Sequence, residues 1–226
     1  MNNEKKRHVI PGETIVSGAY RAEQNTVMEG NKIIATTIGL SDIHDGSVRV
    51  IPLTGGYVPR DDDLVIGKIT SHSAMSWEVN INSCYSGMLP ATDVFGRDFS
   101  SHSDDLSSKL GNGDLIAARI VNADKTRDPL LTISGRELGK IDSGELMNIS
   151  PSKVARLIGK RGSMIQMIES GSNAQITIGQ NGLIVVACDD SEGLLKAVKA
   201  IELVEEKAHV ANLTDQISEM LGLKSD

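Results

Sequence analysis

Two glycines bracket two basic residues in the segment Gly159-Lys160-Arg161-Gly162. Because glycine has no side chain, the main chain at such positions can approach a phosphate group closely. The lysine and the arginine add mobile positive charge, and the N-terminal N–H groups of a following helix would favour the same anion. The segment lacks the spacing of a nucleotide-binding P-loop, which needs four residues between its glycine and its Gly-Lys-Ser/Thr end. The pattern therefore predicts a site for a phosphate backbone.

The surroundings of this segment are basic, although the 226-residue chain carries a formal net charge of −7. No acidic residue occurs between Glu145 and Glu169. The basic residues of that stretch are Lys153, Arg156, Lys160 and Arg161. A polyanion would therefore bind at one place and not over the whole surface. Ile158 and Ile165 flank the segment and could form an apolar floor for bases.

The elements around this segment follow the order β-α-α-β-β-α. The predicted ranges are a strand at 145–149, a helix capped by Ser150-Pro151, a helix at 163–170 that stops at Gly171, strands at 174–178 and 183–187, a helix from about 190 to 208, and a further helix at 214–221. This is the order of a KH domain, which clamps about four single-stranded nucleotides. We expect a KH domain at 143–208 and a C-terminal helix within 209–226. An ordinary glycine-containing turn is the alternative interpretation of the loop.

The sequence pattern in the middle of the chain predicts a small β-barrel. The strand candidates are Leu64–Ser71, Trp77–Ile81, Ser86–Leu89, Leu115–Val121 and Leu130–Ser134, with a polar insertion between the third and the fourth. This pattern predicts a five-stranded OB-type barrel at 61–136. Such barrels stack bases on aromatic side chains beside basic ones, which makes Trp77, Tyr85 and Arg119 candidate RNA contacts. Core packing explains Trp77 equally well, and with 3% aromatic residues any recognition here is led by the RNA backbone.

The sequence pattern of the first 60 residues predicts a small β domain. Two segments rich in β-branched residues, Ile33–Leu40 and Ser47–Leu53, flank Asp45-Gly46. That dipeptide favours the positive φ angles of a tight hairpin turn. A domain of this size buries little core and would be helped by a neighbour or a partner. The fold class predicted for the chain is therefore multidomain, mainly β plus α+β.

Patterns typical of catalysis or metal binding are missing from the sequence. The five histidines form no His-x-x-x-His pair and accompany no nucleophile motif. Cys84 and Cys188 lie far apart, and we expect both to be small buried apolar side chains. Asp61-Asp62-Asp63 is interpreted as a solvated loop. We expect a non-enzyme with no cofactor and no metal.

Composition also bounds the location. No apolar run approaches the ~18–20 residues that span a bilayer. The charged N-terminal residues are followed by no apolar segment of the kind found in secretory signals. We expect a cytoplasmic protein without contact to a membrane.

The order of the three predicted domains resembles that of the archaeal exosome cap subunit that carries S-one and KH domains. The residues that carry the resemblance are Val9-Ile10-Pro11-Gly12-Glu13, Gly18-Ala19-Tyr20-Arg21, Val48-Arg49-Val50-Ile51-Pro52-Leu53, Leu64-Val65-Ile66-Gly67-Lys68-Ile69, Ser76-Trp77-Glu78-Val79-Asn80-Ile81 and the Gly-Lys-Arg-Gly loop. Each piece is short, and their order across the chain is the more specific signal.

The resemblance implies a non-catalytic subunit. In that family the N-terminal domain docks on a hexameric ring of RNase PH-type subunits, and three cap subunits guide single-stranded RNA, with a preference for adenine-rich tails, toward phosphorolytic sites. It implies RNA contacts at Gly159, Lys160, Arg161 and Gly162 and, more loosely, at Trp77, Tyr85 and Arg119. It also implies a ring contact at Pro11, Gly12, Tyr20, Arg21, Arg49 and Pro52. A free-standing translation factor or RNA chaperone is the alternative function.

Overall fold

The structure, a computed structural model, describes residues 6–53, 55–124, 126–208, 210 and 212–223. The predicted segments 1–60 and 209–226 therefore include residues outside the described ranges. The chain divides into two compact units between Gly55 and Gly56. Among the described residues no helix is long and apolar enough to cross a membrane.

The first unit is built from short strands. Along the described residues they are β1 (His8–Val9), β2 (Thr14–Ser17), β3 (Arg21–Ala22), β4 (Thr26–Glu29), β5 (Lys32–Ala35), β6 (Gly39–His44) and β7 (Ser47–Pro52). One sheet has the order β1-β6-β7-β3, and the other has the order β2-β5-β4. The segment Ile33–Leu40 is not one strand, because β5 and β6 belong to different sheets. The core cluster of the first unit is small and consists of Val9, Ala35 and Val50, with Ile15 packed against it.

The predicted hairpin is confirmed. His44 pairs with Ser47 across a two-residue turn, and Asp45 and Gly46 have φ angles of 49° and 75°. Two consecutive positive φ angles define the turn whose twist matches that of the flanking strands. The dipeptide therefore fixes the register of β6 against β7.

The second unit begins with a closed five-stranded barrel, as predicted. Its elements are β8 (Leu64–His72), β9 (Ser76–Asn80), β10 (Ser86–Pro90), the helix α1 (Ala91–Phe95), β11 (Leu115–Asn122) and β12 (Leu130–Thr132). β12, β10, β9, β8 and β11 are neighbours in that order, and β11 also pairs with β12, which closes the barrel. β10 and β12 run parallel, and the other pairs are antiparallel.

The barrel domain is larger than its predicted limits of 61 and 136. Tyr57 is buried in its core. A sixth strand, β13 (Gly139–Ile141), pairs with the first three residues of β11. The insertion after β10 is also structured, because Leu106 and Leu110 are buried in the same core. These two leucines lie four residues apart, and they cover the barrel as one apolar face of a helical turn.

The C-terminal α/β domain has the predicted order. Its elements are β14 (Glu145–Asn148), α2 (Val154–Ile158), α3 (Ser163–Ser172), β15 (Gln175–Ile178), β16 (Leu183–Ala187), α4 (Ser191–Glu206) and α5 (Leu213–Met220). The strands form an antiparallel sheet in the order β14-β16-β15. The helices pack on it through a core that includes Leu157, Ile168, Ile184, Ile201 and Val204, all fully buried.

The two predicted helix ends have different outcomes. Ser150 is the N-cap residue ahead of Pro151, as predicted, but its side chain makes no capping hydrogen bond among the described residues, and its N–H donates to the Glu205 carboxylate at 3.0 Å. Helix α3 does not stop at Gly171 but continues to Ser172, followed by Asn173 in the left-handed conformation. A Cβ at Gly171 would lie 2.8 Å from the Cβ of Leu221, so this glycine allows close packing.

Helix α5 belongs to the core of the α/β domain and is not a separate C-terminal element. Leu213 and Ile217 are fully buried, and Leu221 is nearly so. All three lie in the same cluster as the buried residues of α3 and α4. The apolar spacing of this helix therefore serves internal packing.

Asn181 joins the α/β domain to the barrel. This fully buried side chain lies in the turn between β15 and β16. Its Nδ2 donates to the carbonyl oxygens of Ile66 at 2.7 Å and of Ile81 at 2.9 Å, and its Oδ1 accepts from the Ile66 N–H at 3.3 Å. Since every polar atom of the amide is used, the turn fixes the α/β domain against β8 and the end of β9.

Candidate nucleic-acid interface

The loop between α2 and α3, residues Gly159 to Gly162, is the Gly-Lys-Arg-Gly loop. Gly159, Arg161 and Gly162 have φ angles of 74°, 55° and 81°. Positive φ values are accessible to glycine at little cost. The positive φ angles at these three positions turn the chain sharply from the end of α2 into the start of α3.

The two glycines have different surroundings. A Cβ at Gly159 would lie 2.7 Å from the Cβ and 2.8 Å from the backbone nitrogen atom of Met164. Gly159 therefore lets the loop pack on α3. A Cβ at Gly162 would meet no heavy atom closer than 3.7 Å. The close approach of a ligand that the sequence predicted for both glycines is thus open at Gly162 only.

The basic side chains of this region point to solvent. Lys160, Arg161 and Arg156 are exposed, and Lys153 is half-buried. Within the residues that the structure describes, none of the four makes an ion pair. Among the described residues, no side chain caps the N-terminus of α3. The positive end of the helix and the nearby cations therefore favour an anion at the same place.

An apolar strip lies beside the loop. Ile158 at the end of α2 and Ile165 in the first turns of α3 are half-buried and pack against the domain core. Ile178 on β15 is half-buried in the same cluster. The combination of a cationic loop, a helix N-terminus and an adjoining apolar strip can hold phosphates and bases of a single strand together.

The prediction that Trp77 stacks on a base is corrected by the structure. Its side chain is fully buried, and its indole N–H donates to the carbonyl oxygen of Leu110 at 3.0 Å. The ring stacks on Phe95 with centroids 6.3 Å apart and an interplanar angle of 6°. Trp77 and Val79 are both buried on β9, whereas Glu78 between them is exposed, as the strand period of two requires. Core packing is therefore the interpretation that holds.

The other barrel candidates remain near the surface. Tyr85 is half-buried in the segment that precedes β10. Arg119 on β11 is exposed, and its guanidinium donates to the carbonyl oxygen of Asp62 at 2.8 Å. Phe95 packs on Phe99 with ring centroids 5.4 Å apart as well as on Trp77. Phe95 thus packs between Trp77 and Phe99. RNA contacts at Tyr85 and Arg119 stay predictions.

The predicted ring contacts lie at several places in the first unit. Pro11, Gly12, Arg21 and Arg49 are exposed, and Tyr20 and Pro52 are half-buried. Arg21 is held by Glu23 at 2.9 Å, and Arg49 is held by Asp42 at 2.7 Å. Hydrogen bonds from Arg49 and from Arg21 lower the pKa of the Asp42 and Glu23 carboxyl groups respectively. The charge of Arg49 also lowers the pKa of the Glu23 carboxyl group, to a lesser degree than the hydrogen bond from Arg21.

The remaining cysteines and aspartates differ in part from expectation. Cys84 is exposed and not buried as predicted, and Cys188 is half-buried. Asp63 is not a solvated side chain, because it accepts a hydrogen bond from the Tyr57 hydroxyl at 2.6 Å. Burial raises the pKa of Asp63. In the described ranges no group of three or more His, Cys, Asp or Glu residues could hold a metal ion.

Sequence reasoning missed two residues that shape this region. Asn181 has a usable signal, since an asparagine between turn glycines at Gly179 and Gly182 indicates a specific hydrogen-bonding role. Glu169 has a weaker signal, since it lies four residues after Ile165 on a face that the periodicity assigns to the apolar strip.

Three family models match this chain in succession. The Exosome RNA binding protein RRP4 N-terminal domain matches residues 6–54, the S1 domain of Exosome complex component RRP40 matches residues 57–140, and the KH domain matches residues 144–203. The breaks between these matches follow the ends of the first unit and of the barrel with β13.

Several relatives match the chain over nearly its full length. Exosome complex component Rrp4 of Nitrosopumilus maritimus is 66% identical and covers 99% of both chains. The chain belongs to the Rrp4 family of exosome complex components. The Rrp4 of Thermofilum pendens is 40% identical over 96% of this chain and 93% of that protein. A crystal structure described provisionally as an exosome complex RNA-binding protein has a TM-score of 0.70 and 40% identity, and it covers 74% of this chain and 96% of that chain.

Family membership accounts for the domain order that the sequence predicted. The N-terminal, S1 and KH domains occur in the order that the resemblance implied, and the Gly-Lys-Arg-Gly loop falls inside the matched KH domain. The barrel is the S1 domain of this Rrp4-family chain, and the α/β domain is its KH domain.

Proposed function

We propose that this chain is a non-catalytic RNA-binding subunit of an archaeal exosome that binds single-stranded RNA at the KH domain. The observation that carries the proposal is the Gly-Lys-Arg-Gly loop, where two cations without an ion-pair partner among the described residues stand at an uncapped helix N-terminus. The half-buried Ile158 and Ile165 beside the loop support a path for bases. The proposed phosphate-binding surface consists of Lys153, Arg156, Lys160, Arg161 and Gly162, and Gly159 supports it by letting the loop pack on α3.

The test is a double charge reversal in the loop, Lys160→Asp with Arg161→Asp. Aspartate tolerates the left-handed backbone at position 161, so the loop geometry is retained. Each charge-assisted contact contributes ~1.5–3 kcal/mol, and we expect affinity for a single-stranded oligoadenylate to fall at least tenfold. Fluorescence anisotropy with the full chain measures it. Far-ultraviolet circular dichroism confirms that the variant is folded.

The matched control is Lys196→Glu with Lys199→Glu on α4, which changes the net charge of the protein by the same amount. Both lysines lie on α4, and Lys196 pairs with Glu192 at its N-terminal turn. We expect the control to lose little affinity. An equal loss in both variants would mean that overall charge and not the loop governs binding, and it would contradict the proposal.

We further propose that the first unit docks on a hexameric ring of RNase PH-type subunits. The relatives are named exosome complex components, and the unit has a small core together with exposed apolar side chains. Those on or next to the strands of the sheet β1-β6-β7-β3 are Ile10, Ile38 and Ile51. A cap of three copies would raise the affinity of weak modules by ~10²–10⁴ through avidity. Such a cap would pass RNA, with a preference for adenine-rich tails, to phosphorolytic sites of the ring.

The ring proposal is tested by purification of the tagged chain from nuclease-treated lysate of the source organism. We expect RNase PH-type subunits in constant stoichiometry, and we expect Arg21→Glu to weaken their recovery. Lys32→Glu on β5, in the other sheet of the unit, is the control. Recovery of the protein alone or with ribosomes would favour the free-standing translation or RNA-chaperone function instead.

A further inference from the structure

Strand β15 leaves one edge of its sheet without a strand partner in the described residues. Such an edge offers backbone N–H and C=O groups that can bond to another molecule. Helix α3 runs beside it, and Glu169 Oε1 accepts a hydrogen bond from the Ile176 N–H at 3.0 Å. That N–H therefore faces α3 and not β16.

The carboxylate of Glu169 lies in line with the phosphate-binding loop. Gly162, Ile165 and Glu169 follow one another at spacings of three and four residues, which place them on one face of α3. This face of α3 begins next to the loop. At its far end Glu169 accepts the hydrogen bond from Ile176 on the edge strand β15. An RNA with its phosphates at the loop would lay its bases across Ile165 toward Glu169.

An acidic side chain here opposes phosphate binding, so its position calls for a specific role. An ionised carboxylate only accepts hydrogen bonds, and it has about four lone-pair sites on two oxygens. The Ile176 N–H is the hydrogen-bond partner that the described residues supply. Capacity remains for a donor on a ligand, and Glu169 is half-buried and therefore partly accessible to solvent.

We propose that Glu169 is a specificity-determining residue of the KH groove that accepts a hydrogen bond from the exocyclic amino group of adenine or cytosine. Uracil would turn a carbonyl oxygen toward the same carboxylate and is disfavoured. This inference rests on the proposed binding of single-stranded RNA at the Gly-Lys-Arg-Gly loop. A matched contact of this kind contributes ~1–3 kcal/mol of discrimination between bases.

The experiment compares binding of oligoadenylate and oligouridylate to the full chain and to Glu169→Gln. Glutamine keeps an acceptor for the Ile176 N–H and adds an amide donor that suits a carbonyl oxygen. We expect the ratio of adenylate to uridylate affinity to fall roughly tenfold. Glu202→Gln, an exposed site on α4 with the same charge change, should leave the ratio unchanged. If Glu169→Gln and Glu202→Gln both raised the affinities for oligoadenylate and for oligouridylate by the same factor, the proposal would be overturned.

A second arm needs no substitution in the protein. An oligonucleotide of purine riboside lacks the amino group of adenine, and we expect the unaltered chain to bind it roughly tenfold more weakly than oligoadenylate. Equal binding of the two would overturn the role of Glu169, even if Glu169→Gln fails to fold. Retained loop-dependent binding with no amino-group effect removes this inference alone. Absence of any loop-dependent RNA binding removes the proposed function as well.

Discussion

The Gly-Lys-Arg-Gly loop and Trp77 on strand β9 were both candidate RNA contacts, and the structure leaves the loop at the surface but buries Trp77. The loop exposes Lys160 and Arg161 to solvent at the start of α3. Strand β9 directs Trp77 into the barrel core, where its indole N–H bonds to Leu110. A residue type suited to RNA binding is therefore informative only when the local geometry leaves it at the surface.

The largest expected effect concerns Trp77. Trp77→Ala removes a fully buried ring and its hydrogen bond, so the free energy of unfolding should fall by ~3–5 kcal/mol. Chemical denaturation measures this change, with Met75→Ala in the exposed turn before β9 as a control that should change little. If the alanine variant does not fold, Trp77→Phe serves for RNA binding. A large loss of RNA affinity in folded Trp77→Phe would break the comparison.

We expect the next largest loss of stability on substitution of Asn181, which connects the KH domain to the barrel. Asn181→Ala leaves buried backbone groups of Ile66 and Ile81 without a partner, and each such group costs ~1–3 kcal/mol. We expect a loss of roughly 3 kcal/mol by chemical denaturation and faster hydrogen exchange at the start of β8. Asn148→Ala, at an exposed side-chain contact with Asn82, is the control. Equal stability of Asn181→Ala and the control would refute the assigned role.

The two loop glycines sharpen the comparison within the loop itself. Gly159→Ala combines a backbone conformation that is nearly exclusive to glycine with a clash against Met164, so we expect a loss of ~2–4 kcal/mol. Gly162→Ala meets no clash and should cost only ~1 kcal/mol. Its effect on RNA affinity should exceed its effect on stability. Thermal unfolding and anisotropy on both variants measure this, and the reverse ranking of stability would be inconsistent with the loop geometry.

The smallest effect concerns pH and the first unit. The hydrogen bond from Arg49 lowers the pKa of Asp42 below its ordinary value of 3.8. The unfolded chain then binds more protons, so this contribution to stability is present above the ordinary pKa and is lost as pH falls through the lowered one. We expect Asp42→Asn to flatten the fall of the unfolding temperature between about pH 5 and about pH 2. Glu29→Gln, exposed on β4, is the control. An unchanged acid profile in Asp42→Asn would contradict this assignment.

Local chemistry made much of the fold predictable. The Asp45-Gly46 turn, the glycines around Lys160 and Arg161, and the change from strand to helix periodicity after residue 145 each act within a few residues. Their structural consequences do not depend on distant contacts. For that reason the hairpin and the β-α-α-β-β-α order were predicted correctly, as were the five strand segments of the barrel.

The features that sequence reasoning missed depend on distant partners. Gly171 looks like a helix stop, but its role comes from Leu221, fifty positions later in the chain. Leu106 and Leu110 lie in a polar stretch, and only the barrel that they cover makes them core residues. In the candidate site, the cations and glycines were predictable from their spacing, whereas Glu169 acquires its place from a hydrogen bond to β15.

Hydrogen–deuterium exchange of the full chain, with and without single-stranded oligoadenylate, is a direct test of whether the KH domain binds RNA at its loop. We expect slower exchange in peptides that cover the Gly-Lys-Arg-Gly loop, the first turns of α3 and the edge strand β15. Peptides over β9 around Trp77 should exchange equally in both states. Protection confined to the barrel, with none at the loop, would contradict the proposed binding site.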